Sequence, residues 1–255
     1  MAEEGSPPRL HMGADGVAVL TLARPAHLNR LHREDLLALQ AQFSALRDDP
    51  AVRALVLTGE GRAFCAGFHL GQLGQGEDDP RLFEHTVDAL EALPLPTVAR
   101  LNGSVYGGAT DLALACDFRV GCTGMELRMP AAHLGLHYYP SGLQRYVSRL
   151  GLGAAKRLFL LAEPVPDTVL QAIGYLDACV PAAELDAAVA RFTTALAAGA
   201  PLAVRGMKQS LDDIARGAAD LAVLREREAV CAASADLQEG ITAFAERRSP
   251  RFQGH

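Results

Sequence analysis

Short apolar runs with the character of β-strands recur along the first half of the sequence, and segments with helical spacing lie between them. The strand-like runs cover residues 17–22, 54–58, 98–101 and 118–120, and the helix-like segments cover residues 34–46 and 110–115. Helical spacing places apolar side chains along one stripe, whereas a short continuous apolar run suits a strand inside a sheet. Strands that alternate with helices predict a layered α/β core.

From about Ala182 the pattern changes to amphipathic helices alone. Four such segments, which Pro201, Gly217 and Ser234 separate, cover residues 184–196, 202–214, 221–232 and 237–247. A helical region with its own apolar stripes packs on a core or on a neighbouring subunit. We therefore expect a core over residues 1–195, a helical oligomerisation region over residues 196–255, and a homo-oligomer.

The composition excludes several classes of protein. The 255 residues are 49% hydrophobic and 21% charged, which excludes a disordered chain, and the net charge of −6 gives no general attraction to nucleic acid or anionic lipid. No uncharged apolar run approaches the ~20 residues of a membrane span. The acidic, turn-forming residues 1–8 lack the basic patch and apolar core of a signal peptide. We expect a cytoplasmic protein without nucleic-acid or membrane partners.

The cysteines form an odd, scattered set without a C-x-x-C pair. They are Cys65, Cys116, Cys122, Cys179 and Cys231. This usage suits a reducing compartment and argues against a disulfide framework or a structural zinc site. We interpret all five as buried, small apolar residues.

Two glycine-bearing segments, residues 62–70 and 102–111, each follow a strand-like run, so they lie where α/β proteins build binding sites. Glycine lets the backbone approach a ligand closely, and a helix that begins after it directs unpaired N–H groups at that ligand. Two N–H groups from two such loops can hold one developing oxyanion. The sequence has neither of the glycine-rich fingerprints of dinucleotide- and nucleotide-binding loops.

Several ordered motifs together resemble the enoyl-CoA hydratase/isomerase (crotonase) superfamily. The main ones are residues 55–67 (LVLTGEGRAFCAG), 101–108 (LNGSVYGG) and 116–119 (CDFR). Further similarity spans the rest of the chain, at residues 24–25 with Asn29, 134–135, 144–145, 200–203 and 240–252. The resemblance implies a spiral of repeated ββα units with a C-terminal helical trimerisation region. It also implies that the chain binds acyl-CoA and stabilises a thioester enolate.

The resemblance places the oxyanion hole on the main-chain N–H groups of Phe68 and Gly108, the same two segments that the glycines single out. It places coenzyme A contacts on His27, Leu28, Asn29, Arg30, Ala66, Gly67, His69, Leu70, Phe244 and Arg247. A cationic Arg247 suits a CoA phosphate, although it also fits a solvated basic tail with Arg248 and Arg251. No separate cofactor is implied, because coenzyme A is part of the substrate.

The two glutamates with which family hydratases move protons are both replaced. The first position is Asp111, three residues after Gly108, where a shorter carboxylate can still reach the site. An acid in the first turn of a helix is also favourable for the helix dipole alone. The second position is Ala131, which can do no acid–base chemistry. A standard hydratase or isomerase is therefore not indicated.

Within the superfamily, residues 103–109, 134–138 and 251–255 resemble the methylmalonyl-CoA decarboxylase branch. That resemblance implies that Tyr138 contacts a substrate carboxylate, although Tyr139 can equally be the tyrosine of the pocket. Decarboxylation of a malonyl-type thioester needs an oxyanion hole and a poorly solvated carboxylate, and a second anionic side chain would repel the substrate.

His133 and His137 stand four residues apart, and three interpretations stay open: a proton-transfer role for His137, a metal site, or two surface side chains. No third ligand lies at a suitable spacing, so we predict no metal. We expect an acyl-CoA lyase with Phe68, Gly108, Asp111, Tyr138 and His137 as catalytic residues, forming a homotrimer or a dimer of trimers. The alternatives are an enoyl-CoA hydratase or isomerase with an altered acid–base set, and a non-catalytic protein that binds CoA esters.

Overall fold

The computed structural model describes residues 5–72 and 79–255, and within them the strands form two sheets. The strands are β1 (Ser6–Met12), β2 (Val17–Ala23), β3 (Ala54–Gly59), β4 (Ala63–Cys65), β5 (Thr97–Leu101), β6 (Ser104–Tyr106), β7 (Phe118–Cys122), β8 (Glu126–Arg128), β9 (Val165–Pro166) and β10 (Ala178–Val180). The helices are α1 (Arg33–Asp48), α2 (Leu82–Glu91), α3 (Ala109–Leu114), α4 (Pro140–Lys156), α5 (Asp167–Ala172), α6 (Leu185–Ala197), α7 (Pro201–Ala215), α8 (Leu221–Ala232) and α9 (Ala235–Glu246).

The larger sheet has the strand order β1-β2-β3-β5-β7-β10, and the smaller sheet has the order β4-β6-β8-β9. All neighbours in the larger sheet are parallel except β1 and β2. In the smaller sheet β4, β6 and β8 are parallel, and β9 is antiparallel to β8. Every residue of β3 is buried, as expected for a parallel strand that is covered on both faces.

Three consecutive ββα units build this arrangement: β3-β4-α2, β5-β6-α3 and β7-β8-α4. The first strand of each unit joins the larger sheet, and the second strand joins the smaller sheet. The α/β spiral of ββα units is therefore confirmed. One detail was wrong: the segments 62–70 and 102–111 are not simply loops, because each carries a strand of the smaller sheet, β4 or β6.

Most elements that the periodicity predicts are confirmed within a few residues, including β2, β3, α1 and the C-terminal helices. The interpretation of residues 1–8 as a turn-forming start was incomplete, because β1 begins at Ser6 and pairs with β2. The cysteine prediction was right for Cys65, Cys116 and Cys122, which are buried, and wrong for Cys179 and Cys231, which are partly exposed.

The predicted domain boundary at residues 195/196 lies inside α6, which packs against β3, β5 and β7 of the larger sheet. Helices α7, α8 and α9 follow, and they present large apolar side chains to the outside. Among these, Leu221 is 71% exposed and Phe244 is 88% exposed.

In the described part of the chain no single helix is long and apolar enough to cross a membrane. The helices over residues 182–197 and 201–215 are long and apolar enough only when they are taken together, and their axes differ in direction by 106°.

Candidate active site

A cavity of about 340 Å³ opens beside the carboxyl ends of β4 and β6. Ala66 and Phe68 line it after β4, and Gly107 and Gly108 line it after β6. The start of α2 and residues within 129–139 also line it. Because β4 and β6 are adjacent and parallel, their carboxyl ends place the two glycine-bearing segments next to each other.

The two segments touch at Gly67, which has a φ of +86°. A Cβ atom on this residue would lie 2.7 Å from the Tyr106 carbonyl oxygen and 3.1 Å from the Gly108 nitrogen. Glycine is therefore required here twice, for its positive φ and for the close approach of the two backbones.

The N–H groups of Phe68 and Gly108 are the predicted oxyanion hole. Within residues 5–72 and 79–255, neither N–H group has a hydrogen-bond acceptor, although neighbouring N–H groups do: His69 donates to the Leu31 carbonyl, and Gly107 donates to the Arg128 carbonyl. Gly108 is also the N-cap of α3, so the positive end of that helix adds to its N–H group. Two free donors at one cavity are the groups that an oxyanion hole needs.

Phe83, from the first turn of α2, covers Gly108. A Cβ atom on Gly108 would lie 2.6 Å from the Phe83 ring, so a side chain at position 108 would displace the ring. The Phe83 ring also packs against Phe68 and Tyr139, with centroid distances of 6.0 Å and 6.1 Å. This aromatic wall makes the cavity apolar next to the free N–H groups.

Tyr138 and Tyr139 both line the cavity, and their rings stack with a centroid distance of 4.3 Å. The Tyr138 hydroxyl donates to the Tyr139 hydroxyl at 3.3 Å, and the Tyr139 hydroxyl donates to Asp111 Oδ2 at 2.5 Å. Asp111 itself is completely buried and does not line the cavity. The expectation that the Asp111 carboxylate enters the site directly was wrong, because Tyr139 lies between this carboxylate and the cavity. A catalytic role of Asp111 stays a prediction.

Arg145, on α4, holds Asp111 from the other side. Its Nη1 donates to Asp111 Oδ2 at 2.7 Å, and the same guanidinium pairs with Asp88 at 2.7 Å and with Glu91 at 2.9 Å. Arg145 is only 2% exposed. One buried cation is thus shared among three carboxylates, two of which are buried themselves.

Burial raises the pKa of Asp111 above its usual value, although Arg145 and Tyr139 act in the opposite direction. Burial, together with the charge of Asp111, raises the pKa values of Tyr138 and Tyr139 well above their usual value. Both phenols are therefore protonated at neutral pH. Burial would lower the pKa of Arg145, but its carboxylate partners outweigh this and raise it, so Arg145 stays charged.

His137 lines the cavity, and its Nδ1 atom lies 2.8 Å from the Tyr138 carbonyl oxygen. Ala131, at the second replaced position, is buried and lines the same wall. His133 is exposed and does not line the cavity. In the described part of the chain no three histidine, cysteine or acidic side chains are grouped to hold a metal ion.

The predicted coenzyme A contacts divide into two sets. Ala66 and Leu70 line the cavity, with Gly67 directly between Ala66 and Phe68. Residues 27–30, His69, Phe244 and Arg247 do not line it. Phe244 and Arg247 lie at the end of α9, where Arg247 has a φ of +54°. Contacts between these residues and coenzyme A remain predictions.

Asn29 is buried, and the structure uses its side chain to join distant parts of the backbone. Its Oδ1 accepts from the Arg24 N–H at 3.0 Å, and its Nδ2 donates to the carbonyls of Glu60 and Ala63 at 2.8 and 2.9 Å. These bonds hold the turn before β4, which leads into the cavity.

We expect Asn29→Ala to lower the free energy of unfolding by about 2–3 kcal/mol, because several buried backbone groups lose their partner. Denaturant unfolding measures this loss, with the exposed neighbour His27→Ala as the control, expected within about 0.5 kcal/mol of the wild type. Unchanged stability with a raised KM would instead favour a direct role of Asn29 in substrate binding.

A family model described as Enoyl-CoA hydratase/isomerase matches residues 13–255. The chain belongs to the enoyl-CoA hydratase/isomerase family. It is 31% identical over 244 residues to a crotonyl-CoA hydratase of Syntrophomonas wolfei, covering 92% of this chain and 94% of that protein. It is 29% identical over 247 residues to a 2,3-dehydroadipyl-CoA hydratase of Escherichia coli, covering 93% and 95%.

The fold agrees with solved structures of the family. An enoyl-CoA hydratase from Bacillus anthracis superposes with a TM-score of 0.89 at 28% identity, covering 98% of this chain and 100% of that one. A further enoyl-CoA hydratase structure, from Geobacillus kaustophilus, gives a TM-score of 0.87 at 30% identity. The predicted superfamily and its fold are thus confirmed.

In this member of the enoyl-CoA hydratase/isomerase family, sequence reasoning missed Phe83 and the partners of Arg145. Phe83 lies on α2, a helix that the pattern analysis did not predict. Arg145 belongs to the motif at residues 144–145, and nothing in the sequence pairs it with Asp111. The repeated apolar spacing of residues 82–90 is the signal that could have revealed α2.

Proposed function

We propose that this chain is an enzyme that acts on an acyl-CoA thioester and stabilises the thioester enolate. The observation that carries this proposal is the pair of unbonded N–H groups, of Phe68 and Gly108, on one apolar cavity. Such donors bind the oxygen more strongly as it becomes negative, which lowers the barrier to enolate formation. Coenzyme A is part of the substrate, so the proposal needs no separate cofactor.

For the reaction, we propose decarboxylation of a malonyl-type thioester, as in methylmalonyl-CoA decarboxylase. Neither replaced position brings a carboxylate to the cavity: Ala131 offers a methyl group, and Asp111 is held behind Tyr139 by Arg145. An apolar wall with protonated phenols accommodates a substrate carboxylate with little solvation, and neither position 111 nor position 131 places an anionic group on that wall. Loss of CO2 then leaves the electron pair in the enolate, whose oxygen accepts hydrogen bonds from the two N–H groups.

A second candidate is hydration of an enoyl-CoA with an altered acid–base set. The relatives named as crotonyl-CoA and 2,3-dehydroadipyl-CoA hydratases favour it. Glu84 and His137 are the titratable groups on the cavity wall that such a reaction would use. Glu84 is half-buried and accepts a hydrogen bond from Ser141 at 3.4 Å.

The test is to incubate the purified protein with methylmalonyl-CoA, malonyl-CoA and crotonyl-CoA and to follow each by mass spectrometry. We expect the malonyl-type thioesters to lose the mass of CO2. Gain of the mass of water on crotonyl-CoA alone would replace decarboxylation by hydration. If no thioester is consumed while butyryl-CoA binds in calorimetry, the chain is a non-catalytic protein that binds CoA esters.

The proposed assembly is a homotrimer or a dimer of trimers. Its support is the row of exposed apolar side chains on α7 to α9, which includes Met207, Leu211 and Ile214, each more than half exposed. Large apolar patches on a protein surface mark interaction sites.

A further inference from the structure

A hydrogen-bonded chain leads from the cavity wall to Asp111, which stands at the first replaced glutamate position. It runs from Tyr138 to Tyr139 and from Tyr139 to Asp111. In the described part of the chain, Tyr139 is the residue that both lines the cavity and hydrogen-bonds the Asp111 carboxylate. Any proton exchanged between Asp111 and a bound thioester along this chain passes through the Tyr139 hydroxyl.

The position of Tyr139 relative to the oxyanion hole suits this path. Phe83 packs against Gly108 on one side and against the Tyr139 ring on the other. The α-carbon of a thioester is bonded to the carbonyl carbon whose oxygen would meet the Gly108 N–H. A thioester held by the Gly108 N–H group therefore lies in the cavity that Phe83 and Tyr139 line together.

Asp111 is built to accept or release a proton. Its Oδ2 already accepts from Tyr139 and Arg145, while its Oδ1 is buried without a hydrogen-bond partner. Arg145 divides its positive charge among Asp111, Asp88 and Glu91, so it does not fully compensate Asp111. A carboxyl group that is completely buried and only partly compensated can hold a proton at modest cost.

We propose that Tyr139 is the catalytic residue that exchanges a proton with the α-carbon of the bound thioester, and that Asp111 is a positioning residue that acts through Tyr139. This inference rests on the proposed enolate chemistry. When Asp111 is protonated at Oδ2, it donates to Tyr139 Oη, and the Tyr139 hydroxyl proton is free for the substrate. After the C–C bond to CO2 breaks, the α-carbon of the enolate takes this proton, and Tyr139 takes the proton of Asp111. The Asp111 carboxylate remains beside Arg145 and regains a proton from solvent before the next turnover.

The reverse path removes an α-proton from a saturated thioester. The α-proton moves to Tyr139 Oη while the phenol proton moves to Asp111 Oδ2, so no tyrosinate accumulates. Incubation of propionyl-CoA in D2O therefore measures the proposed step by itself, because deuterium enters the α-position at the rate of proton exchange. Mass spectrometry follows the label, and calorimetry with propionyl-CoA measures binding separately.

We expect Tyr139→Phe to slow deuterium entry and turnover by at least about 100-fold, as for loss of a general acid–base group, and to change the affinity for propionyl-CoA less than about threefold. Tyr146→Phe is the matched control: it removes a hydroxyl group that is buried on α4, bonds Thr110 and does not line the cavity, and we expect wild-type exchange. Tyr138→Phe should cause a smaller loss than Tyr139→Phe, because its weaker bond reaches only Tyr139.

Asp111→Asn should lower kcat with little change in KM, and Asp111→Glu should restore part of the exchange. If Tyr139→Phe does not fold, a ring-fluorinated tyrosine at position 139 keeps its shape and changes its acidity, and the exchange rate must then change. The assignment is overturned if Tyr139→Phe exchanges at the wild-type rate, or if Tyr138→Phe alone abolishes exchange. Absence of exchange and turnover in the wild type, with propionyl-CoA bound, overturns the proposed function itself.

Discussion

Replacing Gly67 with alanine is expected to lower the turnover of the thioester by about 100- to 1,000-fold, the loss typical of removing one donor from an oxyanion hole. The methyl group would lie 2.7 Å from the Tyr106 carbonyl oxygen and 3.1 Å from the Gly108 nitrogen. Both contacts are with backbone, which cannot move aside as a side chain would. The two segments must separate, and with them the N–H groups of Phe68 and Gly108.

Steady-state kinetics on the thioester that the wild type consumes measures this loss, and calorimetry with butyryl-CoA shows whether the ligand still binds. The matched control is Gly174→Ala. Gly174 has a φ of +75°, close to the +86° of Gly67, but nothing lies within 4 Å of its added Cβ atom. Both variants pay a similar cost for a left-handed alanine. Activity of Gly67→Ala within about threefold of Gly174→Ala would contradict the oxyanion hole at this position.

Strands β2, β3, β5 and β7 of the larger sheet could be predicted from the sequence because they contain short apolar runs, whereas β1 and β10 were not predicted. Residues 54–57 are an example, since a parallel strand buried on both faces is apolar at nearly every position. Strands β4, β6 and β8 have three residues each, too few to show a period. Their pairing depends on contacts between segments about 40 residues apart, such as Ala63 with Ser104, which local patterns do not contain.

The candidate site could be predicted as far as its backbone donors. Glycines at positions 67, 107 and 108 indicate close approach of the chain, and the family motifs assign the N–H groups to Phe68 and Gly108. The sequence left open whether Tyr138 or Tyr139 belongs to the pocket. The structure places both on the cavity wall and gives only Tyr139 a hydrogen bond to Asp111. That distinction depends on side-chain directions at the start of α4, which spacing does not determine.

Arg145 is expected to contribute strongly to the stability of the folded protein. We expect Arg145→Met to lower the free energy of unfolding by about 3–5 kcal/mol at neutral pH, as for removal of one partner from a buried ion pair. The side chain is 2% exposed, and its loss leaves Asp111 and Glu91 buried without that cation. Denaturant unfolding gives the value. The control is Arg9→Met, which breaks an exposed pair with Glu60 and should cost no more than about 1 kcal/mol.

The pH dependence of this loss of stability follows from the pKa values of Asp111 and Glu91. Without Arg145 the pKa of Asp111, already raised by burial, rises further, and the pKa of Glu91, which Arg145 helps to lower, rises as well. A carboxyl group with a raised pKa in the folded state binds more protons there than in the unfolded chain, so stability falls as the pH increases. The difference in free energy of unfolding between the wild type and Arg145→Met should therefore be smallest near about pH 4 and increase toward neutral pH.

A double variant separates uncompensated charge from lost packing. Asp111→Asn in the Arg145→Met background removes one buried negative charge without changing the volume of the side chain, so it should recover part of the lost stability at neutral pH. The same change in the wild-type background removes a partner from Arg145 and should destabilise the protein. If Asp111→Asn has the same effect in both backgrounds, the two side chains are not coupled. The position of the Asp111 carboxylate would then not depend on Arg145.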